Sequence, residues 1–189
     1  IGRRTNVIAT GSSSSLVTMA CSYNPDLFEQ LMFINPESFT SCSQIPGKSA
    51  KFYKFLIDLP IAGTLLYHIA SARSHMEAFS SSYFYNSFDV TPFYVDKYME
   101  SAHLGDSPKS IYSSVICNYT KCRISPALEK IDNSIYILGG GEEPDIDQII
   151  QEYTLCNPAI EASKVPETKH LPHLEKPQEV YKLVNMFFH

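Results

Sequence analysis

Thr5-Asn6-Val7-Ile8-Ala9-Thr10-Gly11-Ser12-Ser13-Ser14-Ser15-Leu16-Val17-Thr18-Met19-Ala20 is the stretch that decides how the chain is read. It opens with a short apolar run rich in β-branched residues, Val7 to Thr10, and that run stops at Gly11. Beyond the serines, Leu16, Val17, Met19 and Ala20 suit a buried helix. The order is strand, tight turn, helix, with serine in the turn. Such a turn pushes one side chain out of the sheet edge and aims the following backbone N–H groups at the same point. A serine there can attack a carbonyl carbon, and the N–H groups can hold the oxyanion that forms. Gly11 to Ser15 nearly match Gly-x-Ser-x-Gly, with Ser15 in place of the last glycine, and serine is small enough for that position. Four serines adjoin; Ser13 is favoured over Ser12 and Ser14 because it stands two residues after Gly11. Serine runs are also common in plain loops, so the weight rests on residues further along the chain.

The 189 residues are 44% hydrophobic and 19% charged, which suits one globular domain with a core of its own. The net charge of −5, with no basic stripe, predicts no nucleic-acid partner. No apolar run reaches the length of about eighteen residues that a membrane-spanning helix needs. The five cysteines, Cys21, Cys42, Cys117, Cys122 and Cys156, are odd in number and irregular in spacing. They read as free thiols of a reducing, cytoplasmic compartment, with no zinc site. Asn118-Tyr119-Thr120 is therefore discounted as a glycosylation acceptor. The sequence begins at Ile1, so any signal peptide lies out of sight.

In chain order, the helix from Ser14 to Tyr23 ends at Asn24-Pro25-Asp26. Phe28 to Ile34 is a second strand, closed by Asn35-Pro36. Strand, helix and strand within about thirty residues predict a βαβ unit and a parallel sheet. From Glu37 to Ser107 the sequence turns aromatic and serine-rich, with helices over Lys51 to Leu59, Pro60 to Ala72 and from Thr91-Pro92 onward. An inserted helical cap, aromatic where it lines an apolar pocket, is expected there. Pro108 to Tyr119 is read as a helix returning to the core, and Ser125-Pro126 as opening a short helix. Ser134 to Leu138 is a strand, followed at once by Gly139-Gly140-Gly141-Glu142-Glu143-Pro144-Asp145. The three glycines allow a sharp turn, and no Lys-Ser/Thr comes after them to make a phosphate loop. Ile146 to Leu155 is helical, Ile160 to Val165 a weak strand, Lys169 to Pro177 a loop, and Gln178 to Phe188 an amphipathic terminal helix. The expected division is core over 1–36, cap over 37–107 and core over 108–189.

Ser13, Glu143 and His170 then stand at the C-terminal ends of successive strands, the edge where open α/β sheets build sites. Their order is that of one triad architecture. The chain resembles the α/β-hydrolase superfamily at three places: the serine turn with its flanks through Pro36; Ile137-Leu138-Gly139-Gly140-Gly141-Glu142-Glu143-Pro144; and His170-Leu171-Pro172-His173-Leu174-Glu175-Lys176-Pro177-Gln178-Glu179-Val180. The last is the most specific. The resemblance implies Ser13 as nucleophile, His170 as general base, Glu143 as the acid orienting the imidazole, and the Ser14 backbone N–H as an oxyanion donor. Glu142, Asp145 and Glu37 remain alternative acids, with Pro144 favouring Glu143. His173 and Glu175 are read as structural.

The resemblance starts at the family's fifth strand, so on the order of 80–100 residues of typical strands and helices are missing. The expectation is a preceding segment, a partner chain, or self-association at the open sheet edge. The implied activity is a serine hydrolase acting through an acyl-enzyme on a carboxylic ester, thioester or amide with a hydrophobic acyl or aryl group, without a cofactor. The alternative is a non-catalytic binding protein of the same fold. Haloalkane- or epoxide-opening chemistry is disfavoured because it needs a carboxylate where this chain has Ser13.

Overall fold

The computed structural model describes residues 3–104 and 108–189. They form two compact units, one of residues up to 43 together with 122–189, the other of residues 44–121.

The first unit is a four-stranded, wholly parallel sheet in the order β1-β2-β3-β4. The strands are β1 (Thr5–Thr10), β2 (Phe28–Ile34), β3 (Ser134–Gly140) and β4 (Glu161–Val165). Helix α1 (Ser13–Tyr23) links β1 to β2, and α2 (Phe39–Cys42) comes after β2. Buried parallel strands read as continuous apolar runs, and Leu31-Met32-Phe33-Ile34 and Ile135-Tyr136-Ile137-Leu138 are buried throughout. Their alternation divides two core layers. Leu31, Phe33, Ile135 and Ile137 pack on one face with Ala9, Cys21, Leu128 and Tyr153. Ile34, Leu138 and Val165 pack on the other with Val180 of the last helix.

In the helical unit α3 (Lys48–Asp58), α4 (Ala62–Ala70), α5 (Arg73–Tyr83), α6 (Pro92–His103) and α7 (Lys109–Ile116) succeed one another in sequence. The sheet unit then adds α8 (Ser125–Leu128), α9 (Ile146–Cys156), α10 (Pro172–Glu175) and α11 (Pro177–Phe188).

Helix α7 lies in the helical unit, where its sequence suggests a return to the core, and the unit closes at 121. Polar ties explain this: Ser113 Oγ donates to Asp58 Oδ1 at 2.7 Å, Lys54 Nζ to Ser113 Oγ at 3.1 Å, and Lys109 Nζ to Leu59 O at 2.9 Å. Hydrogen bonds from Lys54 and then Ser113 hold the Asp58 carboxyl below its usual range. Tyr67 is buried, donates to Ala102 O at 2.6 Å and meets Tyr112 edge-on. The boundary expected at 107 falls outside the described residues. Helix α5 is not evident from sequence because its serines blur the apolar period, and α10 occupies part of the expected histidine loop.

Phe33 is fully buried at the centre of the larger core. Phe33→Ala is expected to destabilise the protein by about 3–5 kcal/mol, seen in urea titration as a lower midpoint with an unchanged slope.

Candidate active site

The loops at the C-terminal ends of the four strands carry the site. Strand β1 ends at Thr10, which is paired with Ile34. The Gly11 N–H still donates to Ile34 O at 3.0 Å, and the chain then turns with Gly11 at φ +53°. That left-handed conformation favours glycine, since a Cβ is strained there. Ser12 is already right-handed, and α1 begins at Ser13. The bend between strand and helix is therefore made at Gly11.

The serines separate into two pairs. Ser14 and Ser15 are buried in the first turn of α1; their N–H groups donate to Gly11 O and Ser12 O at 3.1 and 3.2 Å. Ser15 Oγ donates to Ser12 O at 3.0 Å and lies 3.5 Å from Cys42 Sγ, so the serine at the last position of the motif is accommodated by packing. Ser12 and Ser13 are exposed. The Ser14 N–H, expected as an oxyanion donor, is consumed by the closure of the helix onto Gly11 O. Among the described residues the N–H groups left open on this turn are those of Ser12 and Ser13, as a helix N-terminus requires.

At the end of β3 the glycines let two loops touch. A Cβ on Gly140 would stand 1.8 Å from Lys169 O, so no other residue fits there. Gly141 N–H donates to Val165 O at 2.7 Å and Glu142 N–H to Thr168 O at 2.9 Å, which ties the acid turn to the histidine loop. Lys169 N–H in turn donates to Glu175 Oε1 at 2.7 Å, giving Glu175 its structural part.

Asn35 holds the centre. It is buried, with φ +44°, just beyond β2. Its Oδ1 accepts from Gly140 N–H at 2.9 Å, and its Nδ2 donates to both Lys169 O and His170 O at 2.8 Å. One side chain thus joins the ends of β2 and β3 to the loop bearing the histidine. In the sequence Asn35-Pro36 reads only as a strand stop; an asparagine suited to the left-handed region at a strand end is the available signal.

These contacts bring Glu143 and His170 together, with Nδ1 3.1 Å from Oε1. A carboxylate accepts only, so Nδ1 is the donor of this bond. Glu143 Oε2 is buried without a hydrogen-bond partner. Of the alternative acids, Glu142 and Asp145 are both exposed at the turn, and Asp145 precedes α9 with φ +62°. Glu37 shares a cleft of about 160 Å³ with Asn35, Glu143, Ile146 and His170, and its Oε2 accepts from Ser41 Oγ at 3.4 Å.

Ser13 is not brought to the imidazole: among the described residues no hydrogen bond joins it to His170. The position that faces the ring is 11. A Cβ built on Gly11 has His170 Nε2, at 3.9 Å, as its nearest neighbour. This is legible in one respect, because the apolar run stops at Gly11. Among the described residues no group of three His, Cys, Asp or Glu side chains could hold a metal ion. No helix described is long and apolar enough to cross a membrane.

No family model matches this sequence, and no curated protein matches it either. Solved structures do. A bromoperoxidase from Bacillus anthracis is 14% identical, with a TM-score of 0.68 over 98% of this chain and 67% of its own. The epoxide hydrolase CorEH is 21% identical, with a TM-score of 0.68 over 99% and 69%. The 2-hydroxy-6-oxo-6-phenylhexa-2,4-dienoate hydrolase from Rhodococcus sp. strain RHA1 is 12% identical, with a TM-score of 0.66 over 98% and 64%. The chain has the α/β-hydrolase fold. It spans about two thirds of the length of these structures. Within the α/β-hydrolase fold, the serine turn, the acid turn and the histidine loop lie at the ends of parallel strands, the edge where such sheets place their sites.

Two outcomes are expected. Asn35→Ala removes the acceptor of the buried Gly140 N–H and the donor to two carbonyls, and should cost about 2–4 kcal/mol in chemical denaturation. His173 is lowered in pKa first by burial and then by the neighbouring His170, and its Nδ1 has no hydrogen-bond partner. The unfolded chain therefore binds this proton more tightly. Stability is intact above the ordinary imidazole value of about 6.5 and falls as pH drops below it. Thermal unfolding followed by circular dichroism should show that decline, and His173→Gln should flatten it.

Proposed function

We propose that the protein is a hydrolase of a carboxylic ester, thioester or amide, with His170 as general base and Glu143 as the acid that orients it. The observation that carries this reading is the 3.1 Å contact between His170 Nδ1 and Glu143 Oε1, with Nε2 turned to the bend between β1 and α1. A base so placed takes a proton from an attacking hydroxyl and returns it to the leaving group, and the carboxylate stabilises the charged ring in between. The N–H groups on the same turn supply positive dipoles for the oxyanion. No cofactor is called for by this chemistry. Opening an epoxide or haloalkane through a carboxylate nucleophile is disfavoured, since Gly11 to Ser15 contain none. The aromatic-rich sequence supports a hydrophobic acyl or aryl substrate, and the five free cysteines support a cytoplasmic location.

In the acyl-enzyme route the nucleophile is Ser13 Oγ, which must then swing from the first residue of α1 to reach Nε2. A second reading, a non-catalytic binding protein, is favoured by one observation: the position facing the ring is Gly11.

The test is a screen of nitrophenyl acyl esters and thioesters with the full-length protein. His170→Ala is expected to lower kcat/KM by about 10²–10⁴-fold, and Glu143→Gln to lower it with little change in KM. Ligand binding by a folded protein with no turnover of any acyl compound would leave the binding reading in its place.

A further inference from the structure

We propose that position 11, not 13, is where this turn would present a nucleophile, and that His170 activates a water molecule standing over Gly11. The proposal rests on the hydrolase reading and deepens it.

Three observations converge. The last residue of β1 paired to β2 is Thr10, and Gly11 alone makes the bend, at φ +53°. A side chain at 11 would leave the backbone toward His170 Nε2, which lies 3.9 Å from the Cβ site. A hydroxyl one bond beyond that Cβ comes within the reach of about 2.6–3.2 Å that proton transfer needs. The third observation is the fate of the N–H groups. Ser14 N–H closes onto Gly11 O, whereas Ser12 N–H, next after the bend, makes no hydrogen bond among the described residues. An open donor adjoining position 11 is what an oxyanion formed above it requires.

With glycine at that position, the space a serine hydroxyl would take is available to water. Nε2 removes one proton from the water as its oxygen forms a bond to the acyl carbon. The carbonyl electrons move to oxygen, held by Ser12 N–H. Collapse of this intermediate breaks the bond to the leaving oxygen, sulfur or nitrogen, and the imidazolium returns its proton there. The acid and the free leaving group are released in one cycle, and no acyl-enzyme forms.

The experiment treats the wild-type protein and Gly11→Ser with a fluorophosphonate and maps the modified peptide by mass spectrometry. Wild type is expected to stay unlabelled from Ser12 to Ser15. Gly11→Ser is expected to be labelled at position 11, and the label to fall at least tenfold when His170→Ala is added. A label on Ser12 or Ser13 of the wild type overturns the proposal, as does a folded Gly11→Ser that takes no label. Serine at this backbone angle is strained. If that variant does not fold, the wild type decides alone: during ester turnover, intact mass should show no acyl adduct, and an adduct on any serine overturns the proposal. A folded wild type that neither turns over acyl compounds nor takes label overturns the hydrolase reading itself, a result distinct from labelling at Ser13.

Discussion

The bonds of Asn35 are the constraint on which the site depends. Parallel strands end at one edge but do not by themselves bring their loops into register. Here a single buried amide commits its acceptor to Gly140 N–H and its donors to the carbonyls of Lys169 and His170. Each partner belongs to a loop separated from Asn35 by more than a hundred residues. Because the Asn35 side chain is buried, losing its bonds leaves polar atoms of the amide and of Gly140 N–H unsatisfied in low dielectric, which gives the arrangement a sharp optimum. Gly140 completes it, since the two loops meet at a distance that excludes a side chain. The Glu143–His170 contact is a consequence of this clamp.

Much of the fold is legible in the sequence because its signals are local. Phe28 to Ile34 and Ser134 to Leu138 are continuous apolar runs closed by turn residues, and both form central strands of the sheet. The terminal helix carries its period in Val180, Leu183 and Val184. What stays hidden depends on distant partners. Helix α7 looks like a core helix by its own pattern, yet Asp58 and Leu59 hold it in the helical unit through Ser113 and Lys109. Asn35 looks like punctuation, since nothing near it in sequence announces partners more than a hundred residues away.

Glu143 and His170 are legible for a different reason. Glu143 comes after glycines at a strand end and His170 opens a segment resembling the family's histidine loop, so each can be placed from its own neighbourhood. The structure adds their contact and the means by which it is held. It also separates Glu175 and His173 of the same loop by their environments. Glu175 clips Lys169 N–H, and His173 sits where burial disfavours its charge.

The nucleophile is harder because two frames of counting disagree on the same serines. A motif counts from the glycine and arrives two residues later at Ser13. The backbone counts from the last paired residue of β1, Thr10, and makes its bend one residue later at Gly11. The second frame is the physical one, because what aims a side chain at the imidazole is the reversal of the chain at the strand end. A residue inside the helix, as Ser13 is, points where the helix turns it. A run of four serines conceals the difference, since several alignments place a serine somewhere on the turn. Glycine at the bend relieves the backbone strain that a side chain there would carry, and in doing so removes the group the imidazole would otherwise meet.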